Sequence, residues 1–113
     1  MKIHYKNKSL NINNLKKLSF FGKFIGLMFK NSKTKNLLFE FNSNTNISIH
    51  SFFVFFNFLA LWLDENDRVI DFKIVKPFLP SIKPNKKFKK LIELPLNSDN
   101  KRIIDFFVGK RNI

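Results

Sequence analysis

The chain has no cysteine, which excludes a disulfide framework, a thiolate zinc site and a cysteine nucleophile. Glycine is nearly as scarce. Gly22, Gly26 and Gly109 are the only three, too few and too scattered for a glycine-rich phosphate loop. No elbow motif frames a Ser/His/Asp triad. Arginine occurs 3 times against 18 lysines, and acids number 8. The longest apolar run, Ile49 to Leu63, holds 15 residues and is interrupted by His50 and Asn57. A membrane-crossing helix needs about 20, so no transmembrane segment is expected.

What remains is a chain of 113 residues, 44% hydrophobic and with a net charge of +13. That length supports one domain, residues 1–113, with a core that closes without staples. The positive balance suggests an anionic partner. Lys, Asn, Phe and Ile, however, fill 61 of 113 positions, and all four are read from AT-rich codons. Base composition alone produces that skew. Dedicated nucleic-acid surfaces favour the bidentate arginine that is scarce here. Weak, non-specific nucleic-acid binding is the corresponding expectation. Met1 to Lys8 is not followed by the apolar segment of a secretory leader, so the chain reads as a cytoplasmic protein, expected to be monomeric.

Along the chain, Ile3, Tyr5, Leu10 and Ile12 alternate and predict one or two edge strands. Leu15, Leu18, Phe21, Ile25 and Met28 fall three or four apart, which predicts a short helix over about 14–27, capped by Asn13 or Asn14. Residues 30–36 read as a polar loop, Leu37 to Phe41 as a strand and Asn42 to Asn46 as a turn. Ile49 to Leu63 is aromatic and partly β-branched, and predicts two buried strands broken at Asn57. Trp62 and Met28 are expected in the core. Asp64 to Asp67 predicts a hairpin turn, and Arg68 to Val75 its returning strand. Pro77, Pro80 and Pro84 mark an extended loop. Leu91 to Leu94 reads as a strand closed by Pro95, and Ser98 as the cap of a short helix through Ile104. Phe106 to Ile113 reads as a last short strand or tail.

Several blocks together resemble a small domain family of unassigned activity, domain of unknown function one-nine-two, in its archaeal style. They are Gly26-Leu27-Met28-Phe29-Lys30, Ile49-His50-Ser51-Phe52-Phe53, Ala60-Leu61-Trp62-Leu63-Asp64, Asp67-Arg68-Val69-Ile70, Leu91-Ile92-Glu93-Leu94-Pro95 and Val108-Gly109. The resemblance spans about residues 15–113. It implies a mainly β fold, a compact sandwich with short helices; with the segment readings above, the expectation is a compact β-sandwich or barrel-like domain with one short N-terminal helix and a short C-terminal helical turn. Val54, Phe55, Leu59 and Lys110 depart from the family pattern, which thins its polar set.

No catalytic constellation emerges. The candidate binding residues are Lys30, Glu40, His50 and Glu93, with Lys83, Lys86, Lys87, Lys89 and Lys90 as a candidate patch for an anionic partner. A lone histidine in an apolar stretch is more often a structural hydrogen-bonding residue than a ligand. Strand carboxylates more often pair with lysine than do acid–base chemistry. No cofactor or metal is implied. The leading reading is a non-enzymatic binding module. The alternatives are a nucleic-acid-binding protein working through its lysines, and a small hydrolase or ligand-binding enzyme with Glu40, His50 and Glu93 in one pocket.

Overall fold

A computed structural model describes residues 1–18, 30–31, 33–51 and 54–109. The fold is mainly β. Strands β1 (Lys2–Tyr5) and β2 (Lys8–Asn11) form an antiparallel hairpin of their own. Five more strands make the central sheet: β3 (Leu15–Leu18), β4 (Asn36–Thr45), β5 (Phe58–Leu63), β6 (Val69–Val75) and β7 (Phe88–Pro95). Their spatial order is β3-β4-β7-β5-β6, with β3 parallel to β4 and the other neighbours antiparallel. A 3-10 turn, Ser98–Asn100, leads into the helix α1, Lys101–Val108.

The unbroken apolar reading of β5 has a simple cause: the sheet is covered on both faces, so all six of its residues are buried. Strand neighbours point to opposite sides. Leu59, Leu61 and Leu63 join Ile92 and Leu94 on one face, beneath Ile3 and Ile12 of the hairpin and Ile103, Ile104 and Phe107 of α1. Phe58, Ala60 and Trp62 join Leu37, Phe39 and Leu91 on the other, where Val54 and Ile82 pack from the loops. The hairpin is anchored to the sheet by His4 N–H donating to Asp67 O at 2.9 Å.

The two N-terminal strands, the β5–β6 hairpin, the proline-rich connection and β7 lie where the sequence predicts them. Asp64 builds the β5–β6 turn: its Oδ1 accepts from Asn66 N at 2.8 Å and Arg68 N at 3.0 Å. Four expectations are corrected. Leu15 to Leu18 is a strand, not the start of a helix. Main-chain pairing with β4 overrides the helical spacing, and Asn14 adopts φ 55° rather than capping a helix. The rest of that predicted helix and Met28 lie outside the described residues. Asn42 to Thr45 continues β4 instead of turning, and a register shift between Glu40 and Thr45 absorbs the polar run.

Among the described residues of Ile49 to Asn57, only Ile49 pairs, in an isolated bridge to Ile82. The reason is local. Ser51 directs its backbone and side chain to the proline-rich loop rather than to a sheet. Finally, Phe106 to Val108 is helical, because Phe107 completes the apolar face begun by Ile103 and Ile104. The helix ends at Gly109, whose φ of 82° suits the residue without a Cβ.

Candidate functional site

The sheet separates two of the carboxylates that the sequence offered for one pocket. In β4 and β7, Leu37 pairs with Glu93 and Glu40 with Lys90. Residues 37 and 40 differ by an odd number, so Glu40 and Glu93 point to opposite faces. Glu40 is exposed and bonds Lys17 at 3.1 Å. The Lys17 hydrogen bond, with further attraction from Lys17, Lys90 and Lys89, holds its carboxyl below the usual range against the opposing effect of burial. Glu93 is buried between Leu37 and Ala60 on the face that carries Trp62. It makes no hydrogen bond or ion pair among the described residues, and burial pushes its carboxyl up to about 8. It is therefore a neutral acid at pH 7. His50 is exposed in the loop after the Ile49 bridge, and Lys30 is exposed outside any element. No three His, Asp or Glu side chains converge among the described residues.

The candidate lysine patch is divided too. Lys90 is half-buried and paired with Asp67 at 2.5 Å. Lys89 lies near enough to Glu40 to depress its carboxyl. Lys83, Lys86 and Lys87 stay exposed in the loop before β7.

A different place gathers polar chemistry. A cleft of about 340 Å³ lies where the turn after β2, the segment before β4 and the start of α1 meet. Its walls carry Asn11, Asn13, Asn14 and Asn97, with Lys33, Lys35 and Arg102 as cations and Asp99 as the single acid. Its base is a pair of buried amides. Asn36 Nδ2 donates to Asn100 Oδ1 at 3.0 Å, and Asn100 Nδ2 returns a bond to Asn36 Oδ1 at 2.8 Å. The remaining donors reach Asn13 O at 2.8 Å and Pro95 O at 2.7 Å. Asn97, not Ser98, caps the 3-10 turn by accepting from Asn100 N at 3.0 Å. The base is thus hydrogen-bonded through every amide donor, while the walls present amides and an excess of positive charge. Sequence reasoning missed this site. Asparagines are so numerous that these few carried no distinct signal, and residues 33–36 read as plain loop.

A second feature was also hidden. Ser51 ties two loops together. Its Oγ donates to Lys76 O at 2.6 Å and accepts from Leu79 N at 2.7 Å. Its main chain exchanges bonds with Phe78 N at 2.7 Å and Leu79 O at 2.8 Å. Phe78 is held at φ 64°, an outlier for a bulky residue. Its ring stands edge-on to Phe55, with centroids 5.5 Å apart, and the two side chains are 51% and 60% exposed.

No family model matches the chain. It is 35% identical over 80 residues to a protein of Thermococcus kodakarensis named for the uncharacterised family UPF0127. The match takes in 69% of this chain and 50% of that protein, so the chain spans about half the length of its curated relative. Two solved structures share the fold. One is described as a putative transcription regulator from Sinorhizobium meliloti, with a TM-score of 0.64 at 15% identity, over 79% of this chain and 70% of the other. The second is a protein of unknown function from Novosphingobium aromaticivorans, with a TM-score of 0.63 at 13% identity, over 79% and 65%. At such identities the likeness is one of fold alone.

Proposed function

We propose that this chain is a small non-enzymatic binding module whose ligand is a small polar anion held in the amide-lined cleft. The observation that carries the reading is the cleft's make-up: Lys33, Lys35 and Arg102 against Asp99, above a base of bonded amides. A volume of about 340 Å³ is at the small end for ligand pockets, which run from about 300 to 1,000 Å³. Most such pockets are apolar; a polar one suits a ligand that keeps much of its hydration. Arg102 offers a planar fork for a carboxylate or phosphate, and the lysines add point charge.

The reading carries further proposals. The UPF0127 family and domain of unknown function one-nine-two are taken as one family, with this chain a member. The layers are read as a compact sandwich, and the module as a cytoplasmic monomer. Cleft residues 33–36 with Asn97, Asp99, Asn100 and Arg102 replace Lys30, Glu40, His50 and Glu93 as the ligand-binding set. Those four serve the fold or the surface instead.

The test is thermal stabilisation by inorganic phosphate and by citrate, against chloride at matched ionic strength. A rise in melting temperature with either anion, removed in the Lys35→Ala/Arg102→Ala double variant, supports the reading. Equal effects of all three salts, or a rise that survives the double variant, contradict it.

A further inference from the structure

Away from the cleft, the molecule carries an apolar projection that the binding reading does not use. Phe55, Phe78 and Leu79 are exposed, with Ile47 on the same loop as Phe55. A core-forming chain has no folding reason to display two phenylalanines edge to edge in water. The display is also built rather than loose. Ser51, fully buried, fixes both loops with four hydrogen bonds to residues 76–79, and holds Phe78 in a left-handed conformation that turns its ring outward beside Phe55.

The loops that carry this projection are basic, although Asp71 of β6 reaches Asn85 N at 3.0 Å, next to Lys86. The two loops, residues 46–57 and 76–87, contain Lys76, Lys83, Lys86 and Lys87 and no Asp or Glu. All four lysines are exposed. Among the described residues Lys17 pairs with Glu40, Lys90 with Asp67 and Lys101 with Asp105. Apolar tips with exposed lysines, Lys76 and Lys83, on the same loops match the boundary of an anionic bilayer, where rings enter the headgroup region and lysines meet phosphates. Single-stranded nucleic acid fits less well. Leu79 and Ile47 offer no stacking face, and the edge-on Phe55–Phe78 pair presents no parallel platform.

We propose that the Phe55–Phe78–Leu79 projection, with the exposed Lys76 and Lys83 of its loop, is a peripheral docking surface for anionic lipid membranes. Aromatic insertion and charge act together, so neither alone holds the protein.

Vesicle co-sedimentation tests this with the intact chain. The probes are vesicles of phosphatidylcholine alone and of phosphatidylcholine mixed with phosphatidylglycerol. The protein should sediment with the mixed vesicles and not with phosphatidylcholine alone, and added salt should release it. Phe55→Ser/Phe78→Asn and Lys76→Glu/Lys83→Glu should each lower partitioning at least about tenfold. Asn tolerates the left-handed backbone at position 78, so folding is preserved. Phe55→Ser alone, at the more exposed ring, provides a second aromatic arm and should also lower partitioning. Three results overturn the proposal: no sedimentation with the mixed vesicles, binding indifferent to the Phe substitutions, or tighter binding of single-stranded RNA through the same residues.

Discussion

Asn36 and Asn100 bond each other reciprocally, at 3.0 and 2.8 Å, across a separation of 64 residues. Both are buried, and the pair joins the first residue of β4 to the turn that starts α1. Asn36 N also donates to Asn14 O at 3.0 Å, so the same point fixes the turn before β3. Three chain segments that wall the cleft are therefore set by one amide pair.

Breaking that pair should be costly. Asn100→Ala strands Asn36 Oδ1 and the Pro95 carbonyl without donors, which predicts a loss of about 2–4 kcal/mol. Asn36→Ala should cost a similar amount, and the double variant about 1 kcal/mol less than the sum. Urea titration of the three variants measures this. Strict additivity would mean that the two amides act independently.

Glu93 gives the fold a pH dependence of unusual sign. The folded carboxyl keeps its proton up to about 8, whereas the unfolded chain releases it near 4.5. Between those values the folded state binds more protons, so stability falls as pH rises from about 4.5 to about 8 and then levels. The full effect is bounded at about 5 kcal/mol. Glu93→Gln keeps the shape and removes the titration. Its melting temperature should be flat across that window and exceed the parent's above pH 8. A parent as stable at pH 8 as at pH 5 would contradict the assignment.

Trp62 separates packing from polarity. It is fully buried against Phe88, with ring centroids 6.4 Å apart, and its Nε1 has no hydrogen-bond partner among the described residues. Trp62→Ala should cost about 3–5 kcal/mol through the cavity it leaves. Trp62→Phe keeps most of the packing and removes an unsatisfied donor, so it should cost under about 1.5 kcal/mol. Denaturant midpoints distinguish the two. Equal losses would show that the indole N–H is bonded in solution.

Much of the fold was legible in the sequence because alternation and turn chemistry are local. Asp64 to Asp67 announces a hairpin, and Leu91 to Pro95 a strand that proline must end. The failures fall where distant partners decide. Leu15 and Leu18 sit at a helical spacing, but β4 supplies a strand's hydrogen bonds. Ile49 and Val54 look like core strand residues, and they do pack against the sheet, yet Ser51 diverts the backbone between them into loop contacts. The candidate residues show the same limit. Strand membership of Glu40 and Glu93 was visible, but their faces depend on register with β7. The cleft joins residues from three distant stretches, and no spacing rule links Lys35 to Arg102.

The central claim is that the cleft binds a small anion, and chemical-shift mapping tests it most directly. Inorganic phosphate is titrated into isotopically labelled protein at constant ionic strength, and backbone and side-chain amide resonances are followed. The account predicts saturable shifts concentrated at Lys35, Asn36, Asn97, Asn100 and Arg102, with the exposed lysines 83, 86 and 87 unmoved. Shifts spread over all surface lysines without saturation, or confined to residues outside the cleft, would contradict it.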